Sequence, residues 1–155
     1  MPSIRITTRI GAPIAVCFDL ARDIDLHVES AAHTRERAVR GITSGLIELG
    51  EDVTWEAVHF GVKQRLTSRI TAFDRPFHFR DSMVRGAFAG FDHDHFFVEM
   101  GALTVMTDVF DYRLRFPPLA LLPDVLFLRR HMRQFLTARC EAIRAAAEAD
   151  PEAAD

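Results

Sequence analysis

Residues 52–115 form a nearly unbroken succession of strand patterns, and no other stretch restricts the fold as tightly. Expected strands at 53–60 and 62–73 are separated by Gly61, a position suited to a tight bend or bulge. A third, 77–85, follows the turn Asp74-Arg75-Pro76. A fourth, 91–100, follows Gly86 and Gly90, and a fifth, 103–116, follows Gly101. Connections this short predict an antiparallel meander.

Side chains in a strand alternate between faces, so residues two apart share a side. One face of the expected strands collects Trp55, His59, Gln64, Asp81, His93, His95, Asp108 and Tyr112. Phe79, Met83, Phe91, Phe97, Met106 and Phe110 flank them on the same side. Buried polar groups cost free energy unless they find partners, so this set predicts the lining of a pocket.

Upstream, Ile4, Ile6, Thr8 and Ile10 alternate with polar residues as a first strand does. Pro13 suits a helix start, and Val16, Cys17, Leu20 and Ala21 form an apolar stripe behind it. A second short helix is expected over 23–31 with Asp23 as its cap, and a weaker strand over 36–41. Pro117, Pro118 and Pro123 end the strand region. An amphipathic helix then runs over 123–149, with Val125, Leu128, Met132, Phe135, Leu136, Cys140 and Ile143 at helical spacing. Arg129, Arg130, Arg133, Arg139 and Arg144 lie mostly off that stripe, as on a solvated face. The order β-α-α-β6-α predicts an α+β fold, a curved antiparallel sheet of about seven strands around a long C-terminal helix. A length of 155 residues suits one domain over 1–149, with 150–155 a disordered tail.

A net charge of −3 argues against nucleic acid as a partner. The segment 116–128 contains three prolines and an aspartate and is too short to span a bilayer, so no integral membrane association is expected. The start of the chain does not read as a secretory leader, and Cys17 and Cys140 are too few for a disulfide framework. A reduced, cytoplasmic protein is the expectation.

The chain resembles the START/Bet v 1-like (SRPBCC) superfamily, in its bacterial polyketide cyclase/dehydrase-like branch. The resemblance is carried by Val53-Thr54-Trp55-Glu56-Ala57 with His59-Phe60-Gly61, then by Leu66-Thr67-Ser68-Arg69-Ile70. It continues through the segment 76–86 from Pro76-Phe77-His78-Phe79 to Arg85-Gly86, with Phe88, His93-Asp94-His95-Phe96-Phe97 and Thr104-Val105-Met106-Thr107-Asp108. It implies a helix-grip fold with a hydrophobic tunnel between sheet and terminal helix. Members bind lipids, polyketides, quinones or hormones, and a minority transform them.

The face itself leaves three chemistries open. His93 and His95 stand two apart on one strand, and His59 could join them in a three-histidine metal site completed by Asp81 or Asp108 only if their strands adjoin. The commoner arrangement is a hydrogen-bonded His–Asp network, so no metal or cofactor is expected. The candidates for general acid–base work are the same five, His59, Asp81, His93, His95 and Asp108. No serine or cysteine sits in a nucleophile elbow. The reading is a small-hydrophobic-ligand binding or carrier module, with a cyclase- or dehydratase-type enzyme and a closed structural core as alternatives. The expected ligand contacts are Trp55, His59, Gln64, Leu66, Phe79, Asp81, Met83, His93, His95, Met106, Asp108, Tyr112, Leu128 and Met132.

Overall fold

Alternation and turn chemistry account for most of the architecture seen in a computed structural model, which describes residues 2–115 and 122–149, the side chains of 122–125 excepted. The strands are β1 (Ser3–Ile10), β2 (Arg37–Gly41), β3 (Asp52–His59), β4 (Val62–Asp74), β5 (His78–Arg85), β6 (Gly90–Met100) and β7 (Leu103–Arg113). They form one antiparallel sheet in the order β1-β7-β6-β5-β4-β3-β2. The meander thus runs from β2 to β7, and β1 adds beside the last strand, so first and last strands are neighbours. Helices α1 (Ile14–Ala21) and α2 (Ile24–Ser30), with a 3-10 turn at Ala32–Thr34, carry the chain from one sheet edge to the other.

Local signals explain the joints. Asp23 caps α2, its side chain accepting from the amides of Asp25 and Leu26. Between β3 and β4 the turn is Phe60-Gly61, both with positive φ, which is the twist-matched two-residue hairpin turn. Irregular register at Ala38/Arg40, Thr67/Ser68 and Ile70/Ala72 bends β2, β4 and β5 where the sheet curves.

The long helix α3 (Leu122–Glu148) divides into two halves by what it covers. Its C-terminal half buries Leu136, Cys140, Ile143 and Ala147 at helical spacing and packs on β1, α1 and α2. Its N-terminal half presents Leu128, Met132 and Phe135, which are only partly buried. The main core lies under the C-terminal half. There Phe18 of α1 meets Phe73, Phe79 and Phe97 edge-on at 5.3–5.4 Å between centroids. Expected and observed elements agree in type and order; the last strand ends at Arg113, three residues early. Phe116, Pro117, Pro118 and the tail 150–155 lie outside the described residues, as do the side chains of Pro123 and Val125.

Candidate functional site

Because the helix's first half stands off the sheet, a cavity of about 260 Å³ opens beneath it. Apolar wall is supplied by Trp55, Leu66, Phe88, Phe91, Phe110, Leu128, Met132 and Phe135. Polar groups are concentrated at two places: His27, Glu36, Ser68, Asp81, His93 and Arg139 on one side, and His59, Gln64 and His131 toward the β3–β4 hairpin.

Behind this wall lies a closed square of two histidines and two aspartates. The register sets it: on one face of the sheet Asp81 of β5 pairs with His93 of β6, and His95 of β6 with Asp108 of β7. His95 Nε2 lies 3.1 Å from Asp81 Oδ1, and its Nδ1 lies 3.0 Å from Asp108 Oδ1. His93 stands beside it, ring centroids 4.0 Å apart, with Nδ1 3.7 Å from Asp81 Oδ1 and Nε2 3.7 Å from Asp108 Oδ2. The Cys140 thiol of α3 donates to Asp108 Oδ2 at 3.1 Å. Phe79 stacks on the His95 ring at 4.2 Å.

The electrostatics of the square follow from burial against pairing. Burial alone would discharge His95, but Asp108 and Asp81 outweigh it and hold the imidazole above its ordinary value. His93 is held below its ordinary value by burial and by the neighbouring charge on His95, so it stays neutral. Burial works against the Asp108 carboxylate, yet the charge on His95, the His95 bond and the nearness of His93 hold it well below the usual range. Asp81 is lowered in the same way, the His95 bond and the charges of His93, His95 and Arg139 together outweighing burial.

A second histidine pair ties the sheet to the helix at the cavity rim. His59 Nδ1 and His131 Nε2 are 3.0 Å apart, and Phe60 packs on the His131 ring at 4.6 Å. A His–His hydrogen bond needs a neutral nitrogen as acceptor. Burial pushes both imidazoles below their ordinary value; Glu36 acts upward on His59, His33 downward on both, and His59 downward on His131. Since the folded values are depressed, the stability held here is present above the ordinary histidine value and is lost as pH falls below it. Thermal melts at pH 7.5 and 5.5 should therefore show a larger drop in Tm for the native sequence than for a His59→Gln/His131→Gln variant.

His27 completes the polar side. Its ring stacks on Trp55 at 4.0 Å, Nε2 is bonded to Glu36, and the buried Nδ1 has no hydrogen-bond partner. Arg139 donates to the Ala21 carbonyl at 2.8 Å while facing the cavity.

Of the residues expected from sequence, Trp55, His59, Gln64, Leu66, Asp81, His93, Leu128 and Met132 border the cavity. His95 and Asp108 are fully buried behind it, in the square. Phe79 and Met106 pack in the main core, and Met83 and Tyr112 in a second cluster with Phe91 and Phe110. These six share the inward face but lie a layer deeper or beyond the cavity's end. His59 does not join His93 and His95, because β4 and β5 stand between their strands. Sequence reasoning missed His27, Glu36, His131 and Arg139. Helical spacing could have found two of them, since Leu128, His131, Met132, Phe135 and Arg139 recur on one face. His27 and Glu36 carry no such signal.

Seven antiparallel strands curved around a long C-terminal helix, with two short helices between the first two strands, define the Bet v 1-like helix-grip fold. Solved structures of that kind superimpose over nearly the whole chain. TTHA0849 from Thermus thermophilus aligns with a TM-score of 0.71 at 21% identity, covering 94% of this chain and 99% of that one. Ara h 8.0201 aligns at 0.70 and 14% identity (96% and 99% covered), and a START superfamily protein from Mycobacterium smegmatis at 0.69 and 12% (94% and 97%). Identities this low establish a shared fold. No family model and no curated protein matches the chain. Among the described residues no helix is long and apolar enough to cross a membrane.

Proposed function

We propose that this protein binds a small hydrophobic molecule between the sheet and α3, as a carrier or binding module. The observation that carries the reading is the cavity itself, whose wall is mostly aromatic and aliphatic and whose polar groups are gathered rather than scattered. Burial of ligand carbon against Trp55, Phe88, Phe91 and Phe135 contributes about 25 cal/mol per Å² before binding costs are subtracted. His27, Asp81, His93 and Arg139 then select for a carbonyl, hydroxyl or carboxylate at the ligand's polar end. A lipid, polyketide or quinone-like molecule meets both requirements, in keeping with the resemblance to the polyketide cyclase-like branch.

Trp55 is the sole tryptophan, is buried and borders the cavity, so its emission reports occupancy directly. Titration with 8-anilinonaphthalene-1-sulfonate and with extracted cell lipids should shift that emission, and native mass spectrometry should find a bound small molecule. Leu128→Arg, which places a charge in the roof, is expected to weaken binding by about tenfold or more. A flat Trp55 signal with no bound mass rejects the proposal.

The alternative is an acid–base enzyme of the cyclase or dehydratase type, favoured by one observation: Asp81 and His93 belong both to the square and to the cavity wall. Turnover of a bound carbonyl compound that vanishes in His93→Gln while binding survives would select this reading. Binding without turnover selects the carrier.

A further inference from the structure

We infer that Asp81, His93 and His95 form a binding site for one divalent transition-metal ion, opening on the cavity. This goes beyond the ligand-binding reading and departs from the expectation of no metal. One donor atom of each residue lies within 4.8 Å of those of the other two. The nitrogens nearest Asp81 Oδ1 are His95 Nε2 at 3.1 Å and His93 Nδ1 at 3.7 Å. Donors around a tetrahedral zinc, with bonds near ~2.1 Å, stand about 3.4 Å apart, so the two sides that meet at Asp81 have the right length.

The far side of both rings supplies the second argument. Asp108 faces the opposite nitrogens, with Oδ1 3.0 Å from His95 Nδ1 and Oδ2 3.7 Å from His93 Nε2. An outer carboxylate holding the far N–H of a ligating histidine is how proteins fix the tautomer and orientation of a metal-binding imidazole. Cys140, bonded to Asp108, anchors that carboxylate to α3.

A third observation is independent of the distances between donors. His93 is buried, its side chain 4% exposed, and its Nε2 has no hydrogen-bond partner. A network built only of hydrogen bonds leaves that ring between two carboxylates and bonded to neither. A metal ion on Nδ1 would use the nitrogen that faces Asp81, while Nε2 stays on the side of Asp108, 3.7 Å from its Oδ2. Coordination by His95 Nε2 displaces the proton shared there with Asp81, and that proton leaves to solvent. Two imidazoles and one carboxylate suit zinc, cobalt(II), nickel or iron(II) rather than calcium or magnesium. Asp81 and His93 border the cavity, so the site opens toward the space proposed for the organic ligand.

The test uses the full chain, stripped with chelator and titrated with Co²⁺ alone, so its outcome is independent of any organic ligand. One equivalent should develop visible d–d absorption that Zn²⁺ abolishes by competition. His93→Ala and Asp81→Asn should remove the signal, Asp108→Asn should weaken affinity by about 10–100-fold, and His131→Ala, which removes the rim pair, should leave it intact. No stoichiometric binding by the native chain, binding retained in His93→Ala, or a signal lost in His131→Ala would overturn the inference. Should His93→Ala fail to fold by circular dichroism, X-ray absorption of the zinc-loaded His131→Ala protein decides: two imidazole donors support the site, and fewer refute it.

Discussion

Replacing Asp108 with alanine is expected to destabilise the metal-free protein by about 3–5 kcal/mol, measured by chemical denaturation in the presence of chelator. Asp108 is 1% exposed, accepts from His95 and Cys140, and faces His93. Its removal leaves the fully buried His95 ring with Asp81 as its one remaining carboxylate partner. The loss therefore comes from the groups left behind more than from the bond removed. Asp108→Asn keeps an oxygen acceptor and should lose less. A loss under about 1 kcal/mol in the alanine variant would mean that the square is not an ion-paired unit.

Phe18→Ala is expected to remove about 3–5 kcal/mol by a different route. Phe18 is completely buried and is the contact through which α1 locks onto the sheet, its ring meeting Phe73 of β4, Phe79 of β5 and Phe97 of β6. Three edge-to-face aromatic contacts converge on one side chain, so truncation leaves a void that three rings on separate strands cannot close together. Phe18→Leu should lose markedly less, because it retains most of the buried volume. The cavity lies elsewhere, so ligand affinity measured through Trp55 should stay within about threefold in folded Phe18→Leu protein. A coupled loss of affinity would show that the main core sets the shape of the pocket.

The strand succession was legible because its signal is local. Alternation, the Gly61 bend and the Gly101 break fix strand limits through backbone sterics and the two-residue side-chain period, which need no knowledge of neighbours. The Asp23 cap is equally local, since donor and acceptor lie two and three residues apart. Inward orientation of His59, Asp81, His93, His95 and Asp108 followed from the same period. Depth did not. Parity assigns a face to Met106 and Tyr112, yet whether the helix touches that face or stands away from it depends on the angle of α3 across the sheet.

Residue order alone thus determined the strand set, the terminal helix and the inward His–Asp face, because each is written in spacings of two or of three to four positions. Only the tertiary structure decided who meets whom. It brought His27 and Arg139 from separate helices to one cavity wall, parted His59 from His93 by two intervening strands, and gave His59 a partner in His131, 72 residues away. Those outcomes follow from strand order and helix tilt, which arise when distant apolar surfaces pack together and so have no local trace in the chain.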